Sequence, residues 1–318
     1  MKKIFFDKLK RLPNHIAKRI SKKIRVSKAK QERHLQLSDL QKDFENIGIQ
    51  RGDTLLVHSA LSEIGFIDGG PKTVIRSLVN VLDTKEAGNL VIPVYFMHTN
   101  MYKTCLQKDY VFDVKTAPTV VGAIPKAMLK TEGVYRSIHP THSIAAKGKD
   151  AKFITEKHHI GEKTFGENSP FAKVVELNGK ILGLGINLAW HTIYHHVEDI
   201  MDKEFPVKVK MDKIFHIPCK NNDGVLMKVG VQPLDLEISQ TRIEKNNFLH
   251  NYFWEICSNL RILRIGKIGK ARSWLVNARE FVDLVEKLAS IGITIYSTEK
   301  YLKDQNLFPY NKIKDRLK

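Results

Sequence analysis

Apolar and polar residues follow two repeating patterns along the chain. Compact apolar runs predict buried β-strands, and apolar residues that recur every three or four positions predict amphipathic helices. The first pattern predicts strands over residues 54–58, 89–95 and 180–185. The second pattern predicts helices over residues 37–47, 74–82, 118–129, 150–158, 171–177, 248–259 and 278–290.

The order of these elements indicates the fold class. A strand, a loop that begins at Ser59, a helix and a second strand follow one another within residues 54–95, as in a crossover unit with parallel strands. Residues 207–231 alternate between polar and apolar positions around the turn sequence Asn221–Gly224, which predicts a β-hairpin. We therefore expect an α/β protein with a mixed central sheet, parallel crossover units flanked by helices, and a C-terminal part that contains a β-hairpin.

Several local details follow from the same patterns. Ser38 is expected to cap the first helix, and Thr192 is expected to cap a helix that follows the third strand. Residues 96–115 lack periodicity and predict a long loop over the site. The residues that follow the helix at 278–290 predict a polar tail.

The first 35 residues differ from the rest of the chain. Apolar residues recur there at spacings of three and four while Lys and Arg fill the other positions, which predicts a basic amphipathic helix. We therefore divide the chain into an N-terminal arm at residues 1–35 and one domain at residues 36–318. In one hypothesis the arm packs on the body or on a second subunit; in the other it makes peripheral contact with an anionic membrane. The apolar stripe consists of Phe5, Leu9, Leu12, Ile16, Ile20 and Ile24.

Charge is distributed unevenly along the chain. The arm contains 13 Lys and Arg against 2 acids, so it carries +11 of the formal net charge of +18 and leaves +7 for the remaining 283 residues. A basic surface favours anionic partners, such as an acidic membrane or a phosphorylated small molecule. Nucleic acid is not expected, because no recognition motif accompanies the charge.

Cysteine content and hydropathy indicate the compartment. Cys105, Cys219 and Cys257 are scattered and form no C-x-x-C pair, which favours reduced thiols in the cytoplasm. No apolar run approaches the roughly 18–20 residues of a membrane span. The basic N-terminus lacks the apolar segment of a secretory signal. We expect a cytoplasmic protein, with the arm placing it at the inner membrane face in the membrane hypothesis.

The densest group of candidate chemical residues lies between Gly183 and Asp199. Three histidines and two carboxylates fall within nine residues after a glycine-rich strand end, where α/β proteins place active sites. His195 and Glu198 are three residues apart and share a helix face, which suits a general base with an orienting carboxylate. His191, His195 and Glu198 could instead bind a metal ion. A capped helix with exposed histidines is the third interpretation.

Two glycine-rich turns present backbone N–H groups, one at Ser59–Gly65 and one at Gly69–Gly70. Neither matches the phosphate-binding loop of ATPases, and Gly183-x-Gly185 lacks the third glycine of a dinucleotide fingerprint. The nucleophile elbow GxSxG is also absent. ATPase, NAD-dependent and acyl-enzyme chemistry therefore have little support, and Arg136 is a candidate phosphate ligand.

These segments together resemble the aminoglycoside 3-N-acetyltransferase family, also called antibiotic N-acetyltransferases, over roughly residues 36–300. Each segment is a weak signal, but all of them in order are specific. The matching segments are Gly52-Asp-Thr-Leu-Leu-Val-His-Ser-Ala-Leu-Ser-Glu-Ile-Gly65, Gly69-Gly70, Val91-Ile-Pro93, Arg136-Ser-x-His139-Pro140-x-x-Ser143, Ala146-x-Gly148, Ser169-Pro170, Leu182-x-Leu-Gly185, Thr192-x-x-His195-x-x-Glu198, Lys267-x-Gly269-x-Ala271 and the helix from Ala278.

The resemblance implies an acyl-CoA N-acyltransferase that needs no metal. Acetyl-CoA or another short acyl-CoA would be the co-substrate, and transfer to the amine would be direct within a ternary complex. His195 would remove the amine proton with support from Glu198, and a backbone N–H in the 59–61 loop would stabilise the oxyanion. The resemblance places the coenzyme on Ser59, Ala60, Leu61, Arg136, Ser137 and Ser169. Asp199, Asp235 and Glu237 stay open as alternative supporting acids, and an oligomer is compatible with the sequence.

The charge of the chain points to the class of amine. Aminoglycosides are polycations, which a basic protein repels at a distance. The 96–115 segment holds three lysines and two acids and is not acidic. We therefore expect an anionic amino sugar, nucleotide-linked and made for a surface polysaccharide, and we keep aminoglycoside 3-N-acetylation as the alternative.

Two hypotheses from other classes remain at this stage. One is a metal-dependent hydrolase that uses His191, His195 and Glu198. The other is a non-enzymatic protein in which the arm binds a membrane or RNA.

Overall fold

The computed structural model of the protein describes residues 33–97 and 99–317. The predicted arm at residues 1–35 therefore lies almost entirely outside the described residues. Its last residues contact the body, since the Leu35 N–H donates to the Phe66 carbonyl at 2.8 Å. No helix in the described ranges is long and apolar enough to cross a membrane.

Ten strands and twelve α-helices make up the regular structure of the described residues, with short 3₁₀ turns between them. The strands are β1 (Thr54–Ser59), β2 (Asn89–Pro93), β3 (Phe112–Asp113), β4 (Tyr135–Arg136), β5 (Ile144–Gly148), β6 (Lys180–Leu184), β7 (Phe215–Lys220), β8 (Leu226–Val231), β9 (Arg264–Ile268) and β10 (Ala271–Asn277). The helices are α1 (Leu37–Ile47), α2 (Leu61–Ile64), α3 (Pro71–Leu82), α4 (Met101–Cys105), α5 (Ala123–Met128), α6 (Ala151–Thr155), α7 (Pro170–Glu176), α8 (Tyr194–Met201), α9 (Ile238–Thr241), α10 (Asn247–Asn259), α11 (Ala278–Ser290) and α12 (Glu299–Asp304).

A seven-stranded mixed sheet forms the centre, in the order β4-β5-β2-β1-β6-β10-β9. β1 pairs in parallel with β2 on one side and with β6 on the other, whereas the outer pairs are antiparallel. The predicted fold class and the parallel crossover are thus confirmed. A second sheet, β3-β7-β8, contains the predicted hairpin, which is shorter than expected.

Both faces of the central sheet are covered. Leu55 and Val57 of β1 pack into one core with helices α1, α3 and α5, while Leu56 between them packs into the other core with α7, α8, α10 and α11. Successive side chains of a strand point to opposite faces, so a strand buried on both faces is apolar at every position. This is why the sequence shows continuous apolar runs rather than alternation in β1, β2 and β6.

Two predicted helix caps are wrong. α1 begins at Leu37 and is capped by Gln36 instead of Ser38, and the Gln36 backbone N–H donates to Asp39 Oδ2 at 2.8 Å in a capping box. That backbone hydrogen bond lowers the pKa of Asp39. α8 begins after Ile193, and the Thr192 hydroxyl instead accepts a hydrogen bond of 2.8 Å from the Tyr95 phenol.

Two segments that were expected to be irregular contain ordered elements. Residues 96–115 include α4 and β3, and β3 joins the hairpin sheet. The predicted polar tail is also wrong, because it contributes buried apolar side chains to the larger core at Leu302, Leu307, Ile313 and Leu317. Its apolar residues are too widely spaced to show a helical or strand period in the sequence.

Candidate active site

The three parallel strands end at one edge of the sheet, and a cavity of about 380 Å³ lies beyond them. We call it the edge cavity. It is lined by the end of β1, by Tyr95 after β2, by residues 186–192 after β6, and by His195 of α8. This is the position at which open α/β sheets bind ligands, because loops from adjacent parallel strands diverge there.

His195 and Glu198 form a buried pair on α8. Nδ1 of His195 lies 2.7 Å from Glu198 Oε2, as the i, i+3 spacing on one helix face allows. A carboxylate only accepts hydrogen bonds, so the imidazole carries its hydrogen on Nδ1 and presents the Nε2 lone pair. That lone pair is the acceptor that a general base requires.

Tyr296, from the C-terminal segment, completes the support of this pair. Its phenol donates a hydrogen bond of 2.7 Å to Glu198 Oε1, the carboxylate oxygen that does not contact His195. Burial, followed by the neighbouring Glu198 carboxylate, raises the pKa of Tyr296 well above its usual value. The phenol therefore stays protonated and holds the carboxylate in a fixed orientation.

Arg242 lies on the other side of the imidazole. Its Nη1 is 3.3 Å from His195 Nε2, and its Nη2 is 3.2 Å from Glu244 Oε1. Both residues come from the turn around the 3₁₀ segment Ile243–Lys245. The guanidinium thus donates to the lone pair of His195 Nε2 in this structure and forms an ion pair with Glu244.

A second cavity of about 320 Å³, the flank cavity, is also lined by His195. His142, His195 and Arg242 line both cavities, so the base lies where the two meet. Burial lowers the pKa of His142 well below its usual value, with smaller contributions from His195 and other neighbouring charges. His142 is therefore neutral and lines both cavities next to the base.

Asp199 and His196 are turned away from the base. Asp199 forms an ion pair with Lys210 and accepts a hydrogen bond of 2.7 Å from the Phe165 N–H. His196 Nδ1 donates to the Phe165 carbonyl at 2.6 Å. Of the acids considered, Glu198 is the one that contacts His195, and Asp235 instead caps α9 through the Glu237 and Ile238 N–H groups.

The donor set of the hydrolase hypothesis is not assembled. The ring of His191 stacks on Tyr194 with centroids 4.3 Å apart, and burial lowers its pKa well below the usual value. Within residues 33–97 and 99–317, no three His, Cys, Asp or Glu side chains are grouped to hold a metal ion. His195 and Glu198 contact each other rather than converging with His191 on a common point.

The residues expected to bind the coenzyme separate into two groups. Ser59 lines the edge cavity. Ala60 and Leu61 follow it but do not line that cavity, and the Ala60 N–H donates to the Leu184 carbonyl at 2.9 Å. The Ala60 N–H is therefore engaged in the fold and is not the oxyanion donor expected in this loop.

Arg136, Ser137 and Ser169 have scaffold contacts and line none of the cavities named in this section. The Arg136 guanidinium donates to the Ala117 and Val94 carbonyls, and burial lowers its pKa to about 10. Ser137 is fully buried, and its hydroxyl lies 2.8 Å from Nδ1 of His158. Ser169 caps α7 by accepting from the Ala172 N–H. These three residues are therefore held by contacts within the protein, and their coenzyme contacts stay a prediction.

A third cavity of about 490 Å³ adjoins the edge cavity through the shared residue Ile186. We call it the tryptophan cavity, because Trp254 and Trp274 line it. Lys270 and Arg272 line it together with one acid, Glu63, and the Arg272 guanidinium lies 4.7 Å from the Trp254 ring centroid. Cationic side chains and aromatic rings therefore line the same cavity.

No sequence motif identifies Tyr296, Arg242, Glu244 or Lys210 as residues of the site. Tyr296 lies in the segment predicted to be a polar tail, 98 positions from its partner Glu198. Arg242 and Glu244 belong to no recognisable motif. Only their position in the fold brings them to the base.

A family model described as aminoglycoside 3-N-acetyltransferase matches residues 56–290. Aminoglycoside N(3)-acetyltransferase VII of Streptomyces paromomycinus is 28% identical over 270 residues, which are 77% of this chain and 88% of the relative. The structure of AAC-IIIb in binary complex with CoASH is similar, with a TM-score of 0.63, 25% identity, and coverage of 79% of this chain and 94% of that one. The fold of aminoglycoside acetyltransferase AAC(3)-Xa is similar with a TM-score of 0.71 at 24% identity, over 87% of this chain and 99% of that one.

Proposed function

The chain belongs to the aminoglycoside 3-N-acetyltransferase family, and we propose that it transfers an acetyl group from acetyl-CoA to an amino group of an amino sugar, with His195 as general base. The observation that carries the proposal is the position of His195. His195 lines two adjoining cavities, and its Nδ1 is fixed by Glu198 at 2.7 Å. Two substrates can thus reach one base from two adjoining cavities.

The reaction requires a base because an ammonium group has no lone pair. An amine with a pKa of about 10 is roughly 0.1% neutral at pH 7. His195 accepts the ammonium proton and passes it to solvent. As the neutral amine nitrogen then attacks the thioester carbonyl, its second proton passes to His195 Nε2, and the tetrahedral intermediate expels the CoA thiolate. The imidazolium returns its proton to the thiolate, so the base is regenerated and the products are the amide and CoA.

Glu198 and Tyr296 support that step without touching the substrates. The carboxylate stabilises the positive charge that forms on the imidazole, and the phenol keeps the carboxylate in place. Burial strengthens these interactions, since His195 is 8% exposed and Glu198 is 3% exposed.

We assign the coenzyme to the edge cavity and the tryptophan cavity. CoA carries phosphates and an adenine ring, which suit the Lys270 and Arg272 cations and the Trp254 ring of the tryptophan cavity. The acyl-bearing arm would pass Ile186, which both cavities share, and reach Ser59 and His195. The flank cavity is then left for the amine.

Two classes of amino sugar are candidates. An aminoglycoside is the better supported acceptor, because the relatives of this chain are named as aminoglycoside acetyltransferases. A nucleotide-linked amino sugar for a surface polysaccharide has no comparable support among the relatives. The nucleotide-linked class remains the second candidate, because the flank cavity is lined by Arg242 and Lys245 and by no carboxylate among the described residues. A polycation would gain no ion pair from that lining.

The test is acetyl transfer itself. Purified protein is incubated with acetyl-CoA and either gentamicin or a nucleotide-linked amino sugar, while thiol release and product mass are followed. We expect one acetyl group per thiol released, and His195→Gln should lower kcat on the order of 10²-fold or more. The exposed His216→Gln is the matched control and should keep full activity. Acetylation of neither amine, or an unimpaired His195→Gln, would refute the proposal.

The arm is proposed to be separate from catalysis. Because Leu35 is bonded to Phe66, a deletion should end at residue 32 and leave that contact intact. We expect the shortened protein to keep its kcat, and a lost kcat with retained folding would contradict this division of the chain.

A further inference from the structure

The flank cavity has a charge distribution that the proposed function does not explain. Two cationic side chains, Arg242 and Lys245, line it, and no Asp or Glu does so among the described residues. Its other polar lining groups are hydroxyls, amides and imidazoles, such as those of Asn100, Ser239 and His142. A pocket built for a molecule with several ammonium groups requires carboxylates, because each desolvated ammonium otherwise loses its hydration without compensation.

Arg242 is placed to act at the reacting nitrogen. Its Nη1 lies 3.3 Å from His195 Nε2, so a group bound by this guanidinium lies within a few ångströms of the amine that His195 deprotonates. Glu244 occupies only Nη2, at 3.2 Å, and the buried Nε has no hydrogen-bond partner. The guanidinium thus retains donors for a second anion.

We propose that Arg242, assisted by Lys245, binds an anionic group of the acceptor, so that the preferred acceptor is an amine with a phosphate or carboxylate close to its amino group. This inference rests on the proposed N-acetyltransferase function and narrows its substrate class. The planar guanidinium can bind either anion through paired N–H donors. Lys245, whose Nζ donates to the Ser239 carbonyl and to Gln240 Oε1, lies at the exposed side of the same cavity and adds a second positive charge.

The same contact makes the base available. In the structure the Nη1–H group donates into the Nε2 lone pair that the reaction requires. An acceptor anion that pairs with Arg242 draws the guanidinium towards itself and exposes Nε2 to the amine. An acceptor without an anion would have to displace Arg242 unaided.

The experiment compares matched acceptors with saturating acetyl-CoA. Glucosamine, glucosamine 6-phosphate and muramic acid are related amino sugars. Glucosamine carries no anion, glucosamine 6-phosphate carries a phosphate, and muramic acid carries a carboxylate. Gentamicin represents the polycationic acceptors. We expect kcat/KM for at least one anionic sugar to exceed that for glucosamine on the order of 10-fold, as one charge-assisted pair allows. The two anionic sugars show which anion is preferred.

Variants connect this preference to Arg242. Arg242→Gln should bring the ratio of kcat/KM between the anionic and neutral sugars close to 1, Arg242→Lys should restore part of it, and Lys245→Gln should reduce it. The control is Lys85→Gln, which removes the same charge from a side chain that is 90% exposed and precedes β2 at the opposite edge of the sheet. It should leave the ratio unchanged. If Arg242→Gln does not fold, the wild-type ratio and Lys245→Gln decide.

The outcomes distinguish a failure of the anion-binding role of Arg242 from a failure of the transferase function. Acetylation of gentamicin with no preference for an anionic sugar over glucosamine would overturn this inference and leave the transferase intact. A preference that survives Arg242→Gln would also overturn it. Acetylation of none of the four amines would refute the transferase itself and this inference with it.

Discussion

The Tyr296 phenol donates a hydrogen bond of 2.7 Å to Glu198 Oε1, across 98 positions of sequence. The other oxygen of that carboxylate holds His195 Nδ1 at the same distance. The C-terminal segment therefore fixes the orientation of the base through a carboxylate that has a partner on each oxygen. A small change at Tyr296 should therefore alter the rate of the reaction without changing any contact with a substrate.

Tyr296→Phe removes one hydroxyl and little volume. Because Glu198 then keeps only one of its two partners, we expect kcat to fall roughly 10-fold, in line with the loss of about 1.5 kcal/mol from a hydrogen bond to a charged group. KM for either substrate should change little, since Tyr296 lines neither the edge cavity nor the flank cavity. Steady-state kinetics measure both constants, with the exposed Tyr135→Phe as control. A change confined to KM would contradict the positioning role.

Adjacent acids on α8 should respond differently to neutralisation. Glu198→Gln removes the charge that stabilises the imidazolium, so kcat should fall on the order of 10²-fold. Asp199→Asn removes the partner of Lys210 instead and leaves a buried cation unpaired, which should cost about 3–5 kcal/mol of unfolding free energy. Urea unfolding and kinetics on both variants separate these effects. Equal losses of kcat in the two variants would show that the assignment of the acids is wrong.

The Asp199→Asn defect should also depend on pH. Burial lowers the pKa of Lys210 to about 8, below the usual 10.5 of the unfolded chain. Between these two values the unfolded state binds more protons, so stability relative to pH 7 should rise as the pH increases from 8 towards 10.5. Asp199→Asn removes an anion that favours the charged form of Lys210, so the Lys210 pKa should fall further in the variant than in the wild type. Urea midpoints of the variant should therefore rise more steeply between pH 7 and 10 and approach those of the wild type, and a gap that widens would contradict the assignment.

The sequence predicts the scaffold of the site better than its chemistry. β1, β2 and β6 are buried on both faces, so their continuous apolar runs are visible without a structure, and α11 matches its predicted bounds because its apolar stripe is regular. His195 and Glu198 were predictable because one helix turn separates them. These relationships are local in the sequence, so the spacing of residues along the chain is enough to reveal them.

The remaining parts of the site depend on contacts between distant segments. Arg136 is positively charged and lies in a motif, yet its guanidinium binds backbone carbonyls, and nothing local distinguishes that role from phosphate binding. Arg242 shows the opposite case, since no motif contains it and the fold alone places it against His195. Tyr296 is buried because the tail returns to the core, which its irregular apolar spacing does not reveal.

Buried histidines should make the protein sensitive to mild acid. Burial lowers the pKa of His58 to about 3 and of His158 to about 4, and it lowers those of His139, His142 and His191 as well. In the unfolded chain each titrates near 6.5, so the unfolded state gains protons that the folded state cannot accept as the pH falls below that value. Each such histidine should cost about 1.4 kcal/mol of unfolding free energy at pH 5.5.

Urea unfolding at pH 7.5 and 5.5 measures this loss, and most carboxylates remain ionised over that range. We expect a decrease of several kcal/mol in the wild type and a decrease smaller by roughly one histidine's share in His58→Gln. The exposed His216→Gln should not alter the decrease. An unfolding free energy that stays level between the two pH values would rule out the explanation.

Gly183 and Trp274 provide a test of how tightly the scaffold is built beneath the site. The two residues are paired across β6 and β10, and a Cβ at position 183 would overlap with the indole ring of Trp274. Trp274 in turn donates from Nε1 to the Ile186 carbonyl at 3.0 Å, in the segment that lines the edge cavity. Gly183→Ala should therefore destabilise the protein by about 3 kcal/mol or more, since overpacking here acts against a fully buried ring.

Gly161→Ala is the control, because a Cβ there meets open space and only its positive φ of 89° causes strain, of about 1 kcal/mol. Combining Gly183→Ala with Trp274→Leu should cost less than the sum of the two single changes, because the smaller side chain removes the overlap. Additive losses in the double-variant cycle would show that the two residues do not constrain each other.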